Sequence, residues 1–291
     1  MYKFELKNQK GNLPNELNQR RIYNFATQKK SNYMSSSNIT MLFILFTAIL
    51  SCKNKPAEEQ VATPLRFEER TFTKQSSTCS TDSTRCATVE VTYPIATQGT
   101  PEAMKLVNDT ILHYTAITLA SGDGETLPAT LEEGANDFIQ MHEEYTKDTA
   151  AFITAWEIQT NGKVLYQSPK YVSVEMASYS YAGGAHPNSY VNLLTFDANT
   201  GKKLILTDMV SDTAKLKQLV EAKFRQTREL KADENLNAAG YFWDGPFAFP
   251  ANVAATEQGL YFVYNPYEAA SYAAGPTDFV ITNEELKGIL K

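Results

Sequence analysis

Histidine and cysteine each occur only three times in the chain, and that scarcity removes much of the chemistry a protein of this size could carry. His113 falls within a helical stretch, at the edge of a core or on a surface. His142 stands in His142-Glu143-Glu144, which lacks the second histidine four residues on that a helical zinc-protease motif requires. No GxSxG element occurs, the glycines never fall as GxGxxG, and there is no phosphate-binding loop. The paired carboxylates Glu132–Glu133, Glu143–Glu144 and Glu284–Glu285 are helix neighbours that point to different faces, as solvated surface residues do. A basic excess is missing too. The whole chain carries a formal charge of −6, and residues 52–291 carry 20 basic and 31 acidic side chains, or −11. Nucleic acid is therefore not an expected partner, because its phosphates demand basic patches. The acidic surface either steers cationic partners or only keeps an exported protein soluble. No catalytic residue, metal site or cofactor is expected.

Long apolar runs are absent with one exception, Met41–Leu50 (MLFILFTAIL). Ten residues match the apolar core of a secretory signal and are about half the ~20 that a spanning helix needs. The run ends in Ile49-Leu50-Ser51-Cys52, which resembles a bacterial lipobox, and polar linker residues follow at once. By that resemblance residues 34–51 are a lipoprotein signal peptide, and Cys52 is the acylated mature N-terminus. The polar residues 1–33 are a doubtful upstream extension, since Met34 lies just before the apolar run. Residues 52–65 are expected to be a linker.

With Cys52 assigned to lipid, Cys79 and Cys86 remain, separated by Ser, Thr, Asp and Arg residues that suit a turn. Zinc would need two further soft ligands nearby, and a redox pair is usually spaced as CxxC. A structural disulfide is expected, closing a loop worth about 2 kcal/mol of chain entropy.

The body predicts an α+β fold of mainly antiparallel sheets. Two helices fall in the first half and one long helix in the second, and the halves form two tightly joined subdomains. In residues 66–182, alternation marks strands over 66–74 and 87–95. Pro101 opens a helix whose face runs through Met104, Val107, Ile111 and Tyr114. A second helix covers 129–148 with Leu131, Phe138, Met141 and Tyr145 in step. Strands are expected over 151–160, 163–168 and 170–181, with Asn161-Gly162 as a hairpin turn between the first two. Both helices are expected on one face of this sheet.

In residues 183–291, strands 188–196 and 203–207 should pair across the turn Asp197–Gly201. A helix over 212–230, capped by Thr207, Asp208 or Ser211, should bury Leu216, Leu219, Val220 and Phe224. An aromatic segment over 241–249 and a hairpin of 252–255 with 259–264 follow. Last come a strand at 278–282 and a short helix capped by Asn283.

Two segments stand out. Tyr179-Ser180-Tyr181-Ala182-Gly183-Gly184-Ala185-His186-Pro187-Asn188 ends an aromatic strand in a glycine pair and exposes a histidine that Pro187 restricts to extended backbone. Asn265-Pro266-Tyr267-Glu268-Ala269-Ala270-Ser271-Tyr272-Ala273-Ala274-Gly275 follows at a matching distance. Together they resemble the extracytoplasmic domain shared by RsiV-type anti-sigma factors, which bind lysozyme through it, and PdaC-type peptidoglycan deacetylases, where it sits beside the catalytic domain. The resemblance covers about residues 66–291, with a PdaC-like part at 66–182 and an RsiV-like part at 183–291. Nothing here resembles the deacetylase domain itself, nor a spanning helix and sigma-binding segment, so sigma signalling is not implied.

The resemblance implies an exported, envelope-located binding module. Its candidate contact residues are Tyr181, Gly183, Gly184, His186, Pro187, Asn188, Pro266, Tyr267, Tyr272 and Gly275. Tyrosine suits such a surface because it buries area at low entropy cost and keeps a polar tip. Membrane attachment through Cys52 and recognition of peptidoglycan or a cationic lysozyme-like protein follow as expected partners. Two alternatives remain open. His186 is either a ligand contact or a structural residue bonded to a backbone carbonyl with Tyr181 and Tyr190 around it. The competing function is an envelope hydrolase using His186 with a carboxylate.

Overall fold

A computed structural model describes residues 63–120, 127–148 and 154–291. Cys52, the apolar run and most of the expected linker lie outside the described residues, as do residues 121–126 between the first two helices. Among the described residues no helix is long and apolar enough to cross a membrane. The core reaches back to Leu65, placed in the linker by sequence but 1% exposed here.

Six strands form one sheet in chain order: β1 Arg66–Gln75, β2 Ala87–Gln98, β3 Trp156–Gln167, β4 Tyr171–Tyr181, β5 Asn188–Asp197 and β6 Lys203–Leu204. All neighbours pair antiparallel except β2 and β3, which are parallel and joined through both early helices. That exception follows from topology, since a parallel pair needs a long crossover. The sheet also continues on both sides of the 182–183 boundary, β4 before it and β5 after it, so the two halves share it.

Helix α1 (Pro101–Ile117) starts where Thr100 Oγ1 accepts a hydrogen bond from Ala103 N, with Pro101 in the first turn. Helix α2 (Leu131–Asp148) is preceded by Thr130 and Glu133 in a reciprocal cap. Thr130 Oγ1 accepts from Glu133 N, and Glu133 Oε2 accepts from Ala129 N. Both helices bury apolar residues on one face of the sheet. Val107 and Ile111 of α1 meet Val172, Val174 and Met176 of β4, while Phe138 and Ile139 of α2 meet Val89, Trp156 and Ile158. Tyr145, expected on the buried stripe, is 42% exposed, and His142 lies inside instead. Asn108 closes one end: its side-chain amide accepts from Ala96 N and donates to Ala96 O, standing in for a missing strand.

The expected hairpin at Asn161-Gly162 does not form. β3 runs straight through it, with Asn161 paired to Ala177 and Thr92, and Gly162 to Met176. A two-residue turn would need a free edge, and β3 has partners on both sides. Glycine is there for space: a Cβ would collide with the Met176 thioether and touch Pro94. Packing outweighs local turn preference.

The second sheet is β7 Asn252–Ala255, β8 Gly259–Tyr264 and β9 Thr277–Thr282, all antiparallel. A short helix, α3 (Leu206–Met209), was missed by sequence; Asp208 Oδ2 accepts from Ile205 N at its start. Asp208 is thus used up, and the long helix α4 (Thr213–Thr227) is capped by Asp212, whose carboxylate accepts from Lys215 N. Leu216, Val220 and Phe224 of α4 are fully buried. Phe224 lies at the centre of a ring cluster with Tyr241, Phe242, Phe247 and Tyr264, all 5.1–6.1 Å away. The expected C-terminal helix is a run of turns. Thr282, not Asn283, makes its cap with Glu285, and the Asn283 amide donates to Glu257 O instead.

Side chains join the two sheets. Asn265 Oδ1 accepts from Val191 N and its Nδ2 donates to Val191 O, while Asn252 Oδ1 accepts from Leu193 N. These amides complete the β5 edge that short β6 leaves bare. Asn265→Leu is expected to lower stability by about 2–3 kcal/mol, because both peptide groups of Val191 lose their partner. A urea titration measures this, and an unchanged midpoint would show that water replaces the amide without penalty.

Candidate functional site

The site grows from the β4–β5 hairpin. Ser180 and Asn188 are its last paired residues, so Tyr181 to Pro187 cross the gap. Gly183 takes φ +74°, and a Cβ there would lie 2.8 Å from Trp156 Nε1, so the glycine lets the loop sit on the indole. Gly184 meets no such demand: its nearest neighbour would be the His186 carbonyl at 4.0 Å.

The loop presents His186 to the second segment. The imidazole stacks on the Tyr272 ring with centroids 3.8 Å apart and planes 17° from parallel. Nδ1 donates to Pro187 O at 2.9 Å, and Tyr272 OH donates to the same carbonyl at 2.8 Å. Nε2 is left facing Tyr267 OH at 3.5 Å, and the two tyrosine rings lie 5.8 Å apart. The fold therefore brings together His186 and Pro187 with Tyr267 and Tyr272, 80 to 86 residues apart in sequence. Tyr181 and Tyr190, expected around His186, are elsewhere. Tyr181 pairs with Glu157 in the sheet, and Tyr190 OH donates to Thr118 O, its burial pushing the phenol up to about 12. The backbone bond expected of a structural histidine exists, but the packing around it is different. Asn188 is an exposed strand end, and Pro266 is half-buried before Tyr267.

Two residues that were not among the candidate contacts hold the second segment in place. Arg228, just after α4, spends its guanidinium on four acceptors: Nε on Thr277 Oγ1, Nη1 on Ala274 O, and Nη2 on Gly275 O and Pro276 O, at 2.6–2.9 Å. Glu268 turns inward, its carboxylate accepting from Asn265 N and Ala251 N. Burial pushes its pKa up despite those two bonds. A planar fork facing carbonyls could not be read from sequence, because the acceptors are backbone. The spacing Asn265-x-x-Glu268 did carry a capping signal.

Among the described residues no carboxylate bonds to His186, and no group of three or more metal-ligating side chains converges. Cys79 and Cys86 are joined in a disulfide, Cα atoms 4.4 Å apart, at the start of β2.

Fold and site together define an α+β protein of two sheets whose loops meet in an exposed aromatic cluster. Residues 80–189 match the family model described as "Deacetylase PdaC", and residues 204–284 match "Protein of unknown function (DUF3298)". Two solved structures are similar. A DUF3298 family protein from Pseudomonas aeruginosa PAO1 is 23% identical, with a TM-score of 0.58 over 78% of this chain and 95% of its own. A member of the DUF3298 family from Bacteroides fragilis NCTC 9343 is 21% identical, also with a TM-score of 0.58, over 78% of this chain and 94% of its own. No curated protein matches. The resemblance drawn from the two signature segments is met by both family models, and the structures share the fold.

Proposed function

We propose that the protein is a non-enzymatic binding module of the bacterial envelope, tethered by lipid on Cys52, whose joined GGAHP and PYEAASYAAG loops grip an envelope partner. The observation that carries this reading is the His186–Tyr272 stack, with Tyr267 beside it and 45% exposed. Stacked rings that share one backbone carbonyl as acceptor form a rigid, amphipathic face, which loses little entropy on binding. Peptidoglycan and a cationic lysozyme-like protein are the partners it suits, the second through the −11 charge of residues 52–291. The hydrolase reading lacks the carboxylate that His186 would need among the described residues.

Tyr267→Ala and His186→Ala should each weaken capture of the partner by about tenfold or more while shifting the melting temperature by only a few degrees. Pull-downs with insoluble peptidoglycan and with lysozyme, at low and high salt, read the effect. Equal loss of capture and of folding would leave the rings a packing role, and muropeptide turnover abolished by His186→Ala would establish the hydrolase.

A further inference from the structure

Among the described residues, four that are not glycine have positive φ: Glu229, Phe242, Trp243 and Tyr267. Seven large hydrophobic side chains are exposed among the same residues, and only Trp243 and Tyr267 appear in both sets, 50% and 45% exposed. Either property alone costs stability. Left-handed backbone costs an L-residue about 1–2 kcal/mol and suits glycine or asparagine, while an exposed indole forfeits its burial. Fold stability therefore gives no reason for a tryptophan at 243, where asparagine would satisfy both conditions better. Strain held in place by surrounding structure points to function.

The surroundings do hold it. Asn237 Nδ2 donates to Tyr241 O and Gly245 O, and Gly245 N donates to Phe242 O, which closes the turn. Phe242 N donates to Ala269 O at 2.7 Å, so Trp243 is one residue, and Tyr267 two, from the same joint. The turn is thereby fastened to the segment that carries the His186 stack.

We propose that Trp243 extends this cluster into a stacking platform for the apolar face of a neutral sugar ring in a glycan chain. The inference rests on the binding reading above and names its ligand class. The two loops themselves carry little outward-facing acid, unlike the chain as a whole, and this local neutrality favours a sugar at the rings. The acid within the PYEAASYAAG loop, Glu268, is turned inward onto Asn265 N and Ala251 N, and Asp244 is the single acid in the 241–245 turn. Flat rings with polar tips and little formal charge match a pyranose, whose C–H face is apolar and whose rim carries hydroxyls.

The chain has two tryptophans, and Trp156 is 4% exposed, so changes in iodide quenching report on Trp243. Chitotetraose and cellotetraose are titrated against the wild type, Trp243→Asn and Tyr267→Ala, with hen lysozyme as a third probe. Saturable protection from quenching is expected with at least one sugar, and capture about tenfold weaker in both variants. Trp243→Asn should melt at the same temperature or higher. The proposal is overturned if Trp243→Asn keeps full sugar binding, if it melts well below the wild type, or if neither sugar binds. Lysozyme capture that depends on Tyr267 but not on Trp243 would remove the glycan inference and leave the broader binding role standing. Failure of all three probes would remove both.

Discussion

Arg228→Ala is expected to be among the most damaging single changes, costing about 2–4 kcal/mol. Four hydrogen bonds from one half-buried guanidinium organise the stretch from Ala274 to Thr277, the far anchor of the Tyr272 turn. Removal leaves three carbonyls and a hydroxyl without a donor, and takes a cation from beside the Tyr241 ring, 5.7 Å away. For a domain of this size that is roughly 5–15 °C in melting temperature. Arg228→Lys should recover little, because an ammonium is a point donor and cannot span a row of acceptors. Partner capture should fall together with hydrogen-exchange protection at 274–277. A lysine variant that melts like the wild type would show that charge alone, rather than the fork, holds the loop.

The second large effect is acid sensitivity centred on His142. Its side chain is 1% exposed, neither ring nitrogen makes a well-formed hydrogen bond, and its ring meets Trp156 edge to face at 5.3 Å. Burial pushes the imidazole pKa down, outweighing the pull of the Thr154 backbone and the Glu143 carboxylate. The unfolded chain therefore takes up a proton near the ordinary value of about 6.5, while the folded chain does so only lower. Stability from this group is fully present above that value and is lost as pH falls below it.

Other groups act lower. Hydrogen bonds from Thr282 lower Glu285, and those from Thr200 and Asn199 lower Asp197 against its partial burial, so their contributions are lost only below the carboxylate range. Glu268, raised by burial, works the opposite way: its folded form gains relative stability as pH falls through its raised pKa. Urea midpoints between pH 8 and 5 should thus decline in the wild type and stay nearly flat in His142→Phe. A parallel decline in both would assign the loss elsewhere. Because Trp156 also seats Gly183, the decline should be accompanied by looser packing of the His186 loop.

Much of the fold was legible from local pattern. Alternation located β1, β2, β4 and the β7–β8 hairpin, and the 3.6-residue period located α1, α2 and α4, because burial of one face imposes both periods. The two signature segments were also legible, from their glycine and tyrosine content. Failures came where a residue served a distant neighbour. Asn161-Gly162 has the composition of a turn, yet its glycine makes room for Met176. Asn283 looks like a cap, yet its amide is spent on Glu257 O. Asp208 was offered as the cap of α4 and instead starts α3.

The chain's own letters were enough for its α+β class, its three long helices and most strands, its acidic balance and the position of the two signature segments, since each depends on residues close together in sequence. Tertiary contacts alone determined that these loops meet, that Tyr272 rather than Tyr181 carries His186, and that Arg228 ties down the second segment. Those outcomes depend on which backbone carbonyls and rings arrive from 40 to 90 residues away, and no local period encodes that.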